Sequence, residues 1–153
     1  MKLTVTSTAF AEGRPIPVRY SCWGKGISPP LEWSGAPGGT KSFALIFDDP
    51  DAPSGTYVHW VMFNIPASST SLAEAVPPDA KLQDGSVQGA NSSRRIGFTS
   101  PCPPSGTHRY YFKLHALDTM LDLAGGASKE QLLTAMQGHV LAQGQLMGTV
   151  TSR

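Results

Sequence analysis

The stretch HRYYFKLHALD, His108 to Asp118, has the period of a strand. Tyr110, Phe112, Leu114 and Ala116 recur at every second position, with His108 at the head of the same row. Arg109, Lys113 and His115 fall on the other row. Side chains of a strand project alternately to its two faces, so the first row reads as core and the second as solvated.

The segments around it carry the same signal. Ser42 to Phe47, SFALIF, is almost continuously apolar and suits a strand buried on both faces. Tyr57 to Ile65 is a further strand, stopped by Pro66, and strict alternation puts Tyr57, His59, Val61, Phe63 and Ile65 on one face. Leu3 to Thr8 and Leu31 to Trp33 read as shorter strands, and Gln145 to Thr151 closes the chain as another. Ala67 to Ser93 is small and polar and contains Pro77-Pro78, which suggests a wandering or functional surface loop. One helix is predicted. Ser128 and Gln131 have the spacing of a capping box, Leu132, Leu133, Ala135, Met136 and Val140 follow at helical intervals, and Gly144 can end it. The expected fold is all-β, an antiparallel sandwich with one or two short peripheral helices and residues 1–153 in a single domain.

Composition limits the function. Among 153 residues, 16 Gly and 13 Pro accompany only 15% charged residues, the balance of a turn-rich β protein. A net charge of +1 with no basic run gives no footing for nucleic acid. No apolar run reaches the ~20 residues of a transmembrane helix. Met1 to Phe10 lacks the pattern of a signal peptide, so the cytoplasm is the expected compartment, or the periplasm if an export signal has been removed. Cys22 and Cys102 read first as reduced, small buried hydrophobes; the alternative, a disulfide between them, needs an oxidising compartment and close Cα atoms.

The chemistry concentrates in DDPDAPSGTYVHW, Asp48 to Trp60, with three carboxylates within four residues. Such crowding is unfavourable unless cations or hydrogen-bond donors answer it. His59 opens one apolar row and His108 another, each at a strand end where a core opens towards loops. Asp49 can accept from an imidazole N–H or meet a headgroup amine, while Asp48 and Asp51 are expected to take backbone N–H groups in the turn. Ala52–Pro53 lies where a cis peptide would help shape a pocket wall. Ser100 to Thr107, SPCPPSGT, is either an anion cradle built from amides such as those of Ser100 and Cys102 or a rigid inter-sheet loop. No paired-histidine zinc motif and no G-x-S-x-G elbow is present, so neither a metal nor a cofactor is expected, and a metal-dependent or acid/base hydrolase on Asp49, Asp51, His59 and His108 is the least favoured reading.

DPDAP at Asp49 to Pro53, HWVMFNIP at His59 to Pro66 and PCPPSGTHRYYFKLHALD at Pro101 to Asp118 resemble the phosphatidylethanolamine-binding protein family. SPPLEW at Ser28 to Trp33 and GHVLAQGQLMGT at Gly138 to Thr149 are similar to its bacterial, Raf-kinase-inhibitor-like branch. The resemblance implies a β-sandwich with a small pocket for phosphate-like anions and phospholipid headgroups, formed here by Asp49, Asp51, Pro53, His59, Ser100, Pro103, His108 and Tyr110. Asp51 matches a motif position that looks like a loop anchor rather than a ligand contact. The implied function is non-catalytic binding. The alternative is inhibition of a kinase or serine protease by protein contact, through the Ala67–Ser93 loop and Arg94-Arg95, and a homodimer is consistent with the branch. The chain departs from the branch at CWGKGI (Cys22 to Ile27), GFTSPCPP (Gly97 to Pro104) and NSSR (Asn91 to Arg94), changes that bear on pocket size and ligand choice.

Overall fold

Ser42–Asp49 is buried at every residue, which demands a neighbouring strand on each edge and a layer on each face. The computed structural model describes residues 2–153 and supplies all four. Its strands are β1 (Thr4–Thr6), β2 (Leu31–Ser34), β3 (Ser42–Asp49), β4 (Tyr57–Pro66), β5 (Ser71–Leu72), β6 (Val87–Gln88), β7 (Thr107–Leu117) and β8 (Val140–Thr151), with one α-helix, α1 (Lys129–Met136), and a 3-10 turn at Val18–Tyr20. One sheet has the order β1-β2-β5 and the other β6-β4-β3-β7-β8, all paired antiparallel.

The core lies between the sheets. Leu3, Val5, Leu31, Trp33 and Leu72 meet Phe43, Leu45, Phe47, Trp60, Met62, Phe112, Leu114 and Leu146 there. A second apolar layer covers the other face of the large sheet, where Leu132 and Met136 of α1 pack with Ala44, Ile46, Val61 and Phe63. This explains the unbroken apolar run of β3: its two side-chain rows feed two different layers.

Simple alternation fails on β4. Phe47 pairs with Trp60 and Asp48 with Val58, so His59 is an extra residue on β4. Phe43 pairs with Ile65 and Leu45 with Met62, so a second extra residue falls at Phe63-Asn64. Each bulge resets the side-chain phase. Trp60, Met62 and Ile65 therefore enter the inter-sheet core and Val61 and Phe63 the outer layer, whereas the sequence reading grouped His59, Val61, Phe63 and Ile65 on one face. Asn64 takes φ 54°, a left-handed conformation Asn tolerates better than most residues, and bonds both N–H and C=O of Leu121 at 2.8 and 2.9 Å.

The capping box of α1 forms as predicted, Ser128 Oγ accepting from Gln131 N–H and Gln131 from Ser128 N–H. The helix ends at Met136, not near Gly144. Gly138, at φ 79°, breaks the helical path. Gly144 lies inside β8, where an added Cβ would collide with the Leu3 carbonyl oxygen. Its role is close approach to the N-terminal segment, whose Leu3 N–H bonds Gln143 O at 2.9 Å. The long Ala67–Ser93 segment is not wholly irregular, since it contributes β5 to one sheet and β6 to the other. None of the described helices is long and apolar enough to cross a membrane.

Candidate functional site

β3 runs antiparallel to both β4 and β7, so the end of β3 and the starts of the other two lie at one edge of the sheet. That arrangement brings Asp49, His59 and His108 together from distant parts of the chain. They line a cavity of about 360 Å³ with Pro53, Ser100, Pro103 and Tyr110. Ala52, Tyr57, Ser93, Thr99, Cys102 and Pro104 complete the wall. Asp51, the remaining residue implied by the resemblance, does not line it.

Each of the three crowded carboxylates has a separate counter-charge or donor. Asp48 is fully buried and receives Lys129 Nζ at 2.9 Å and Lys113 Nζ at 3.2 Å on the outer face. This corrects two expectations: Asp48 does not serve the turn, and Lys113 is not simply solvated. His115, on the same row, is half-buried. Asp49 Oδ1 accepts the Asp51 N–H at 2.8 Å, while its Oδ2 meets His108 Nδ1 at 2.7 Å. Asp51 accepts the Arg109 N–H at 2.9 Å and is gripped at both oxygens by the Arg109 guanidinium. Those donors, side chain first and backbone second, hold the Asp51 carboxyl at about 2. The same pairing raises the Arg109 guanidinium above its ordinary value. Asp51 thereby pins the DPDAP turn to the start of β7. Ala52–Pro53 is trans, since no peptide among the described residues is cis. The reversal is made instead by Gly55, at φ 107°, with its N–H bonded to Ala52 O at 3.2 Å.

The two imidazoles are fixed alike. His59 Nδ1 lies 2.8 Å from Thr99 O, and a carbonyl only accepts, so Nδ1 carries the proton. His108 Nδ1 donates to the Asp49 carboxylate. In the neutral rings each Nε2 then carries a lone pair and is the nitrogen free for a ligand. The His59 ring packs edge-on to Tyr110 at 5.4 Å, and His108 stacks on Tyr110 at 6.4 Å, so both imidazoles pack against one phenol. Burial, opposed by the Thr99 carbonyl and the nearby Asp49 and Asp48 charges, lowers the His59 imidazole below its ordinary value. Burial first, and then the Asp49 and Asp51 charges, push the Tyr110 phenol upward, so it stays neutral. The sequence reading had Thr99 among the loop departures that bear on the pocket, but its hold on His59 escaped it, because that contact runs through a backbone carbonyl, which no residue type announces. Tyr57 and Ser93, whose hydroxyls bond each other, were hidden by lying 36 residues apart.

Cys22 and Cys102 form a disulfide with Cα atoms 5.4 Å apart, the second of the two readings the sequence left open and not the reduced thiols it favoured. The β-framework carries the loops of both residues to one spot, which a sequence separation of 80 conceals. A groove of about 430 Å³ elsewhere, lined by Lys2, Lys113, His115, Gln143, Gly144 and Gln145, contains no carboxylate to orient its imidazole. Among the described residues no group of three or more His, Cys, Asp or Glu is arranged to hold a metal ion.

Residues 6–151 match the family described as "Phosphatidylethanolamine-binding protein". The chain is 58% identical over 146 residues to a UPF0098 protein of Methanothermobacter thermautotrophicus, covering 95% of this chain and 97% of that one. A crystal structure titled as a putative phosphatidylethanolamine-binding protein homolog from Chlamydia trachomatis superposes with a TM-score of 0.92 at 44% identity, covering 99% of each chain. That of E. coli YbcL, titled as a member of the mammalian PEBP family, gives 0.91 at 34% identity over 100% of both chains. A family match across nearly the whole chain, joined to this fold, makes the protein a member of the phosphatidylethanolamine-binding protein family.

Proposed function

We propose that the cavity between His59 and His108 binds a small oxyanion or phosphorylated headgroup and releases it unchanged. The observation that carries this reading is the pair of imidazoles whose Nδ1 atoms are already engaged, leaving both Nε2 atoms for one ligand. Protonated at Nε2, the rings become cationic donors, each charge-assisted bond contributing about 1.5–3 kcal/mol. Two or three such bonds correspond to micromolar to millimolar affinity. Asp49 sets the His108 tautomer and offers negative charge to a headgroup amine. Of the hydroxyls in the wall, Ser93 Oγ is engaged with Tyr57 and Thr99.

Orthophosphate or O-phosphorylethanolamine at roughly 10 mM near pH 6 is expected to shift the ring NMR signals of His59 and His108 while leaving His115 and His139 in place. In His108→Ala the His59 shift should weaken sharply. Unmoved His59 and His108 signals, or equal movement of all four rings, would contradict the proposal.

A second reading, contact with a kinase or serine protease, is favoured by one feature. Asn91 Oδ1 accepts from the N–H groups of Ser93 and Arg95 at 2.9 and 3.2 Å, fixing a turn in which Arg94 sits at φ 61°. That turn displays two exposed arginines beside the cavity wall, a surface fitted to an acidic protein partner.

A further inference from the structure

The Cys22–Cys102 disulfide is solvent-exposed at both residues, and Cys102 is part of the cavity wall. The loop bearing it also carries Ser100 and Pro103 of the wall, and just before them Thr99, whose carbonyl orients His59. This loop has few other ties. Pro101, Pro103 and Pro104 have no N–H to donate. Thr99 N–H bonds His59 O at 2.9 Å at one end, and at the other Ser152 N–H bonds Gly106 O at 2.8 Å while its Oγ donates to Pro104 O at 3.3 Å. Between them the backbone bond from Cys22 N–H to Pro101 O, 3.0 Å, lies beside the disulfide and depends on the same two segments staying together. The opposing segment is itself anchored, with Gly26 N–H on Arg19 O at 3.0 Å and Ser21 N–H on Val18 O at 3.0 Å. The disulfide therefore joins a firm turn to a wall whose middle is otherwise held by the one Cys22–Pro101 backbone bond and by the burial of Pro101 and Pro103.

We propose that Cys22–Cys102 is a reversible redox modification site that sets the affinity of the cavity. The inference rests on the anion-binding reading above and adds its regulation. A thiolate of a low-molecular-weight thiol attacks one sulfur of the bridge, the S–S bond breaks, and the other cysteine leaves as a thiolate that takes up a proton. A second thiol attacks the mixed disulfide, freeing the first cysteine as a thiol. Two reductant thiols become one disulfide, and the bridge becomes two cysteine thiols. With the bridge open, the Pro101–Pro104 wall is no longer pre-organised, and part of the binding free energy is spent ordering it.

The test uses the full chain in three forms: oxidised, reduced with dithiothreitol, and the Cys22→Ser/Cys102→Ser variant. Orthophosphate is titrated against the His59 and His108 ring signals, with free thiols counted in parallel and β3 and β7 amide exchange checking that the sheet stays intact. Reduction is expected to weaken phosphate binding at least about tenfold, reoxidation to restore it, and the serine variant to remain weak with or without dithiothreitol. Equal affinity in the oxidised and reduced forms overturns the proposal, as does a bridge that resists dithiothreitol under native conditions. Loss of β3 and β7 protection on reduction also overturns it, by making the bridge a support of the whole fold. If phosphate fails to bind even the oxidised protein, the anion-site reading fails and takes this one with it.

Discussion

Phe47→Ala is expected to lower the free energy of unfolding by about 3–5 kcal/mol, read as a shift of the urea midpoint. Phe47 has no exposed surface and lies where β3 passes beneath the site. Its ring stacks on Phe112 at 3.8 Å and faces Phe98 at 5.8 Å. It also contacts Tyr110 at 5.9 Å and His59 at 5.6 Å. Strands on both sides are held by backbone ladders and cannot close over the missing ring, so a cavity remains in addition to the lost transfer free energy. The cost extends to function, because the same ring packs against His59 itself and against Tyr110, on which both imidazoles are set. A loss below about 1 kcal/mol would show that this region repacks freely and is not a rigid floor.

Removing both lysines at Asp48 is expected to have an effect of similar size. Asp48 is wholly buried, whereas Lys113 and Lys129 keep 38% and 20% of their side chains exposed, so the carboxylate bears most of the desolvation. Either lysine alone can still neutralise it, and the single alanine variants should each lose much less than the pair. Lys113→Ala/Lys129→Ala leaves an uncompensated buried charge, at a cost of about 3–5 kcal/mol. Adding Asp48→Leu to that double variant should recover much of the loss, because the penalty comes from the orphaned carboxylate and not from the missing stems. Equal, additive losses from the two single variants, without recovery by Asp48→Leu, would mean that the lysines act through packing alone.

Much of this was legible in the sequence, for identifiable reasons. The two-residue period of β7 announced its core face directly, and the continuous apolar run of β3 announced a strand covered twice. The capping box of α1 was readable because its partners are three residues apart. His59 and His108 were legible as heads of strands, and the antiparallel ladder did bring them to one edge. The bulges of β4 were not legible, because an inserted residue changes phase without changing composition. Gly144 misled for a related reason: a glycine that admits a neighbouring backbone looks like one that ends a helix. The pairings of Asp48 with Lys129 and of Cys22 with Cys102 span 81 and 80 residues, and only the completed sheet sets those distances.

The central claim is that two imidazoles, each with Nδ1 already committed, receive an anion at Nε2. A fully deprotonated oxyanion cannot bond a lone pair, so binding must bring a proton onto a ring. Sulfate is the direct probe, since it does not titrate near neutrality itself. Its association constant, measured calorimetrically in buffers of different ionisation enthalpy, should fall above the imidazole range by about tenfold per pH unit for each ring that sulfate requires to be protonated, with about one to two protons taken up per sulfate bound. Sulfate affinity that is flat between roughly pH 6.5 and 8, with no proton uptake, would contradict the account.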